Sequence, residues 1–137
     1  MKNKIILIFL IGVSFFTQAE NEAALVFHMG VGANGLYQIG GVIENNSESE
    51  VSNSAITYII MDEHCTPSDA KVANLGEVKS HGKLDFRIPV EGKLFSYRIL
   101  SITAWDEIGI PKEVIDKTAE VIKEREEDYK KKCNNIR

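Results

Sequence analysis

Three histidines, two cysteines and a scatter of carboxylates are the residues of this chain that could do chemistry. The densest grouping is Asp62-Glu63-His64-Cys65, four potential ligands or catalysts in a row. Adjacent residues in a turn rarely converge on one ion, and zinc sites space their ligands in pairs, so a metal centre here needs His28 or His81 to arrive from elsewhere. Cys65 beside His64 or His81 imitates a thiol–imidazole pair, yet a cysteine with a single available partner is more often structural in an exported chain. No Gly-x-Ser-x-Gly elbow is present. The carboxylate groups Asp106-Glu107 and Glu126-Glu127-Asp128 fall where exposed strand ends or helix faces are expected, which reads as solvated surface. The expectation is a protein that is not an enzyme, with no catalytic, cofactor-binding or metal-ligating residues and no cofactor.

Gly30-Val31-Gly32-Ala33-Asn34-Gly35 matches G-x-G-x-x-G and comes after a strand-like run. A phosphate-binding loop must open a helix whose first amides face the phosphates. The next residues, Leu36-Tyr37-Gln38-Ile39-Gly40-Gly41-Val42-Ile43, instead have a strand pattern, and Asn34-Gly35 is a hairpin signal. The glycines therefore read as a connection between strands, and Gly40-Gly41 as a bulge or a close backbone approach.

These elements sit behind a leader. Lys2 and Lys4 precede an apolar run, Ile5 to Phe16, and Thr17-Gln18-Ala19 offers small residues for cleavage. The run is about a dozen residues, short of the ~20 a spanning helix needs. Residues 1–19 are thus expected to be a cleaved signal peptide and the protein to be periplasmic or secreted. Cleavage leaves 118 of the 137 residues, enough for one modest core. Loss of Lys2 and Lys4 takes the net charge from −4 to −6, which argues against nucleic acid and anionic membrane surfaces as partners. Cys65 and Cys133 are the only cysteines, so an intramolecular disulfide is expected. Two free thiols, or a bridge between protomers, are the alternatives.

Strand patterns recur at 24–29, 36–43, 55–61, 70–75, 84–90 and 94–105. In the first, Leu25, Phe27 and Met29 share one face by the two-residue period. The third is apolar on both alternations, as in a central strand, and the fourth is a weak edge. In the last, the apolar phase moves from Phe95, Tyr97 and Ile99 to Leu100, Ile102 and Ala104, which implies a bulge or twist. Asn45-Asn46-Ser47 lies in a polar tip and is a formal glycosylation sequon. Tyr37, Tyr58, Tyr97 and Trp105 each sit among apolar neighbours and read as core, with Trp105 and Tyr129 the candidates for an interface anchor if exposed. The spacing predicts a mainly β fold, a small fibronectin type III or immunoglobulin-like β-sandwich over 20–110. Pro111 suits a first helical position, and 111–137 is expected to hold a C-terminal helix on the same domain. Its stripe of Ile115, Ile122 and Tyr129 is thin, while Glu113/Lys117, Glu126/Lys130, Glu127/Lys131 and Asp128/Lys132 form favourable pairs.

Gly41-Val42-Ile43-Glu44-Asn45-Asn46-Ser47, Val51-Ser52-Asn53, Thr57-Tyr58 leading to Asp62, and Gly82-x-x-x-Phe86-x-Ile88 together form a pattern over roughly residues 36–104. It resembles the FxLYD-type β-sandwich domains of bacterial envelope proteins and the small secreted family of the interleukin receptor mimic IrmA. The chain departs from the first form where Tyr58-Ile59-Ile60-Met61-Asp62 replaces the Leu-Tyr-Asp ending. The resemblance implies a fibronectin III-like fold, a homodimer formed by strand exchange, and a protein-binding role that extends to host cytokines. It carries over no functional residue. The competing expectation is a periplasmic envelope component with a structural or chaperone-like role.

Overall fold

The structure, a computed structural model, describes residues 23–135; the expected signal peptide 1–19 lies outside the described residues. The strands are β1 (Ala23–Ala33), β2 (Leu36–Glu44), β3 (Asn53–Met61), β4 (Lys71–Asn74), β5 (Lys83–Val90), β6 (Ser96–Trp105), β7 (Pro111–Lys112) and β8 (Val114–Asp116), followed by helix α1 (Ala119–Asn134). They form two four-stranded sheets, ordered β5-β2-β1-β8 and β4-β3-β6-β7. The chain is thus mainly β, a sandwich followed by one C-terminal helix.

The glycine-rich segment is strand and turn. Gly30 pairs with Ile39 and Gly32 with Tyr37, while Asn34 and Gly35 turn the hairpin with φ of 54° and 76°. Both central residues with positive φ match the right-handed twist of the flanking strands. Alternation then fills the core: Leu25, Ile39, Ile43, Phe86 and Ile88 from one sheet meet Ile56 and Tyr58 from the other. Beside them, buried Val51 and Val78 pair in an isolated bridge.

Two bulges decide which side chains face out. In β6 the register slips opposite Thr57/Tyr58, leaving Leu100 extra and half exposed, as the phase change in its sequence predicts. In β1 the register jumps from Leu25↔Ile43 to Phe27↔Val42. The extra residue, Val26, rotates everything beyond it. Leu25 is buried, whereas Phe27, Met29 and Val31 point outward, so the expectation that Leu25, Phe27 and Met29 share a face is corrected.

The C-terminal segment also differs from expectation, because α1 begins at Ala119 and not at Pro111. Asp106 Oδ1 accepts from the amides of Ile108 and Ile110 at 3.0 and 2.8 Å, turning the chain back so that Pro111 pairs with Trp105. Val114–Asp116 then run parallel to Ala23–Leu25. The chain crosses from one sheet to the other at Glu113, whose carbonyl accepts from the Ala23 amide. Ile110 precedes a proline and Val114 and Ile115 are β-branched, so local preference and long-range pairing both favour extended backbone. Glu113/Lys117 therefore precede the helix, while Glu126 and Lys130 do pair along it at 3.8 Å.

Because β7 and β8 are short, two strand edges are left open. Among the described residues, β1 has no strand partner on its β8 side beyond Leu25, and β6 has none on its β7 side before Ala104. Helix α1 lies over this opening.

Candidate functional site

A groove of about 540 Å³ runs between α1 and the open edges, lined among others by His28, Tyr97, Arg98, Asp116, Ile122 and Glu126. At one end, His28 Nδ1 lies 2.7 Å from the Tyr97 hydroxyl and Nε2 lies 2.9 Å from Thr118 Oγ1. The Thr118 hydroxyl and amide both donate to Asp116 Oδ1. This chain of bonds fixes the tautomer. An ionised Asp116 only accepts, so Thr118 spends its proton there, and His28 Nε2–H must donate to Thr118 while Nδ1 accepts from Tyr97.

The electrostatics agree with a neutral imidazole. Burial pushes His28 below its ordinary value, opposed by the charge of Asp116. Burial, helped by Tyr129, raises the Tyr97 phenol to about 12. The Thr118–His28 contact has the spacing of a nucleophile and its base, but with Nε2 donating, no imidazole lone pair faces the hydroxyl. Its evident work is mechanical: it ties β1, β6 and the start of α1 together. Thr118 caps the helix without a side-chain bond to it, its hydroxyl being engaged with His28 and Asp116.

The other end of α1 is held by the Asp62–Thr66 turn. Asp62 Oδ1 accepts from the amides of His64 and Thr66, both at 2.9 Å, and Cys65 takes a φ of 60°. Cys65 is bonded to Cys133, with Cα atoms 5.8 Å apart. The four-residue grouping is thus a helix anchor. His64 is exposed beside Glu63, and His81 meets Glu48 on the polar tip, so the three histidines have three separate sets of partners. Asn45 is wholly buried: its amide donates to the carbonyls of Ser49 and Val78 while its oxygen accepts from Ser47. The formal sequon is therefore a buried loop staple, inaccessible to glycosylation in the folded chain.

The outer face of the β5-β2-β1-β8 sheet carries the other candidate surface. Phe27, Met29 and Val31 are exposed by 48, 48 and 39%. Their cross-strand neighbours are Val42, Gly40 and Gln38, with Leu36 near the hairpin tip; the charge on this face of the two strands is Glu44 at the end of β2, paired with Lys83 at 2.7 Å. Asp85 and Arg87 of β5 border it.

No protein-family profile matches the chain, and no curated protein matches it. Among solved structures it is similar to IrmA from Escherichia coli. The TM-score is 0.44 at 9% identity, over 69% of this chain and 88% of that chain. That protein belongs to one of the two groups that the Asn-Asn-Ser tip and the Gly82–Phe86 pattern resemble.

Neither the His28–Tyr97–Thr118 cluster nor the β1 stripe is visible in the sequence. The cluster joins residues 69 and 90 positions apart. The stripe hides because Leu25-Val26-Phe27 is apolar throughout and betrays no change of phase. Of the aromatic anchor candidates, Tyr58 is buried and Tyr37 and Tyr97 pack on the core. Trp105 is half-buried and Tyr129 exposed.

Proposed function

We propose that the protein is an exported, non-enzymatic protein-binding module, and that its contact surface is the outer face of β1. The observation carrying this reading is the row Phe27, Met29, Val31 held in solvent on the outer face of the sandwich. A contiguous apolar stripe containing an aromatic and a methionine, bordered by charge, has the composition of an interface centre. Export is supported by the leader-like N-terminus and by the disulfide, which persists in oxidising compartments. By its resemblance to the IrmA family, the partner class is an extracellular protein, host cytokines included, and self-association by strand exchange belongs to the same reading.

A pull-down with the purified chain against host extracellular proteins and envelope extract tests it. A partner retained by the wild type and lost with Phe27→Ser/Met29→Ser supports the reading; retention unchanged by the double substitution contradicts the surface. Recovery of the protein from the medium fits a secreted binder. Confinement to the periplasm, with only envelope proteins captured, favours the structural or chaperone-like role.

A further inference from the structure

We propose that α1 is a redox-latched cover: reduction of Cys65–Cys133 by a dithiol frees the helix and uncovers the open edges of β1 and β6 while the sandwich stays folded. The latch does not depend on which partner the outer face binds.

Open strand edges need protection, and the sandwich protects its four in two different ways. The β5 edge carries Lys83, Asp85, Arg87 and Pro89, and the β4 edge is only four residues long. The open edge of β1, Val26–Ala33, has no lysine, proline or acidic residue, and what lies over it is α1.

The hold of α1 on that edge is slight. It has no buried residue, and Ile122, Glu126 and Cys133 alone are half-buried along it. Arg98 donates to Glu126 at 2.7 Å, but Arg98 is exposed and Glu126 only half-buried, where an ion pair adds little. A free helix of this length is marginal in water. The buried cluster that forms the core draws nothing from α1, so the sandwich does not depend on it. The helix is therefore kept in place by its ends, through His28–Thr118 at the start and the disulfide at the finish. Both cysteines are half-buried, neither lies in the core, and Cys65 sits in a turn of mostly exposed residues.

In the opening step a thiolate of the dithiol attacks one sulfur and the Cys65–Cys133 bond breaks, giving a mixed disulfide. The second thiol of the reagent then closes its own disulfide and releases the second protein sulfur. The protein gains two electrons and two protons, and the dithiol loses them.

Hydrogen exchange followed by mass spectrometry, on the purified chain before and after dithiothreitol and alkylation, tests the latch. Reduction is expected to speed exchange about tenfold or more in 119–134, 26–33 and 97–103 and to leave 39–43 and 54–58 protected. Cys133→Ser without reductant should give the same map. Unchanged exchange in 119–134 would mean the helix holds itself and would overturn the proposal. Loss of protection across 39–43 and 54–58 would overturn it too, making the disulfide a staple of the whole fold.

Discussion

The ring of Phe86 lies against Gly41, its cross-strand partner, so closely that a Cβ on Gly41 would fall 2.4 Å from the ring and 2.4 Å from the Phe27 carbonyl oxygen. The aromatic covers the bare backbone that the missing side chain leaves. Gly41 and Phe86, which stand in separate pieces of the pattern over residues 36–104, are thus two halves of one contact, and their role is architectural.

Gly41→Ala should therefore destabilise the fold by about 2 kcal/mol or more, since neither a packed ring nor a backbone carbonyl can yield cheaply. Phe86→Ala should cost roughly 3–5 kcal/mol by leaving a cavity. Urea denaturation reads both as a lower midpoint with an unchanged slope.

Asn45→Ala should cost about 2–3 kcal/mol, because the carbonyls of Ser49 and Val78 and the Ser47 donors lose a buried partner together. Asn45→Asp should be at least as harmful, as it turns donors facing two carbonyls into an acceptor. Thermal melting of the two variants checks the order.

Stability should fall on acidification through His28. Its value in the folded chain is depressed by burial, so the unfolded chain binds the proton more readily. The contribution is complete above the ordinary imidazole value near 6.5 and is lost as pH drops through the lower folded one. Asp116 opposes the shift; Tyr97, Tyr129, Arg98, Lys123, Arg125 and Glu126 are the other charged or titratable groups around the groove. Melting temperature against pH should be flatter between about 8 and 5 in His28→Asn than in the wild type; equal slopes would remove His28 as the cause.

Tyr97 should ionise near pH 12, because burial disfavours its phenolate. Ultraviolet titration of the wild type and Tyr97→Phe should differ by one phenol ionising at that end of the range.

Much of the sandwich is legible in the sequence because its strands alternate and its turns carry Asn, Gly and Asp. The β6 bulge shows as a change of apolar phase at Leu100. The β1 bulge does not, since Val26 sits between two other apolar residues. The helix start is hidden for a different reason: Pro111 and the Glu113/Lys117 spacing read as a helix opening, whereas the β-branched Val114-Ile115 and the pairing with Ala23–Leu25, about ninety residues away, keep this stretch extended. The Cys65–Cys133 bond is legible by arithmetic, whereas His28, Tyr97 and Thr118 meet only through the fold.

The central claim is that the outer face of β1 is a protein-binding surface. Placing a photo-reactive residue at Phe27 in one chain and at Val72 in another tests it most directly, because Val72 is the more exposed of the two, at 67% against 48%, and lies in the other sheet. Irradiation in host extracellular fluid or envelope extract should yield a discrete intermolecular adduct from position 27 and none from position 72. Equal adducts, or an adduct from 72 alone, would contradict the account.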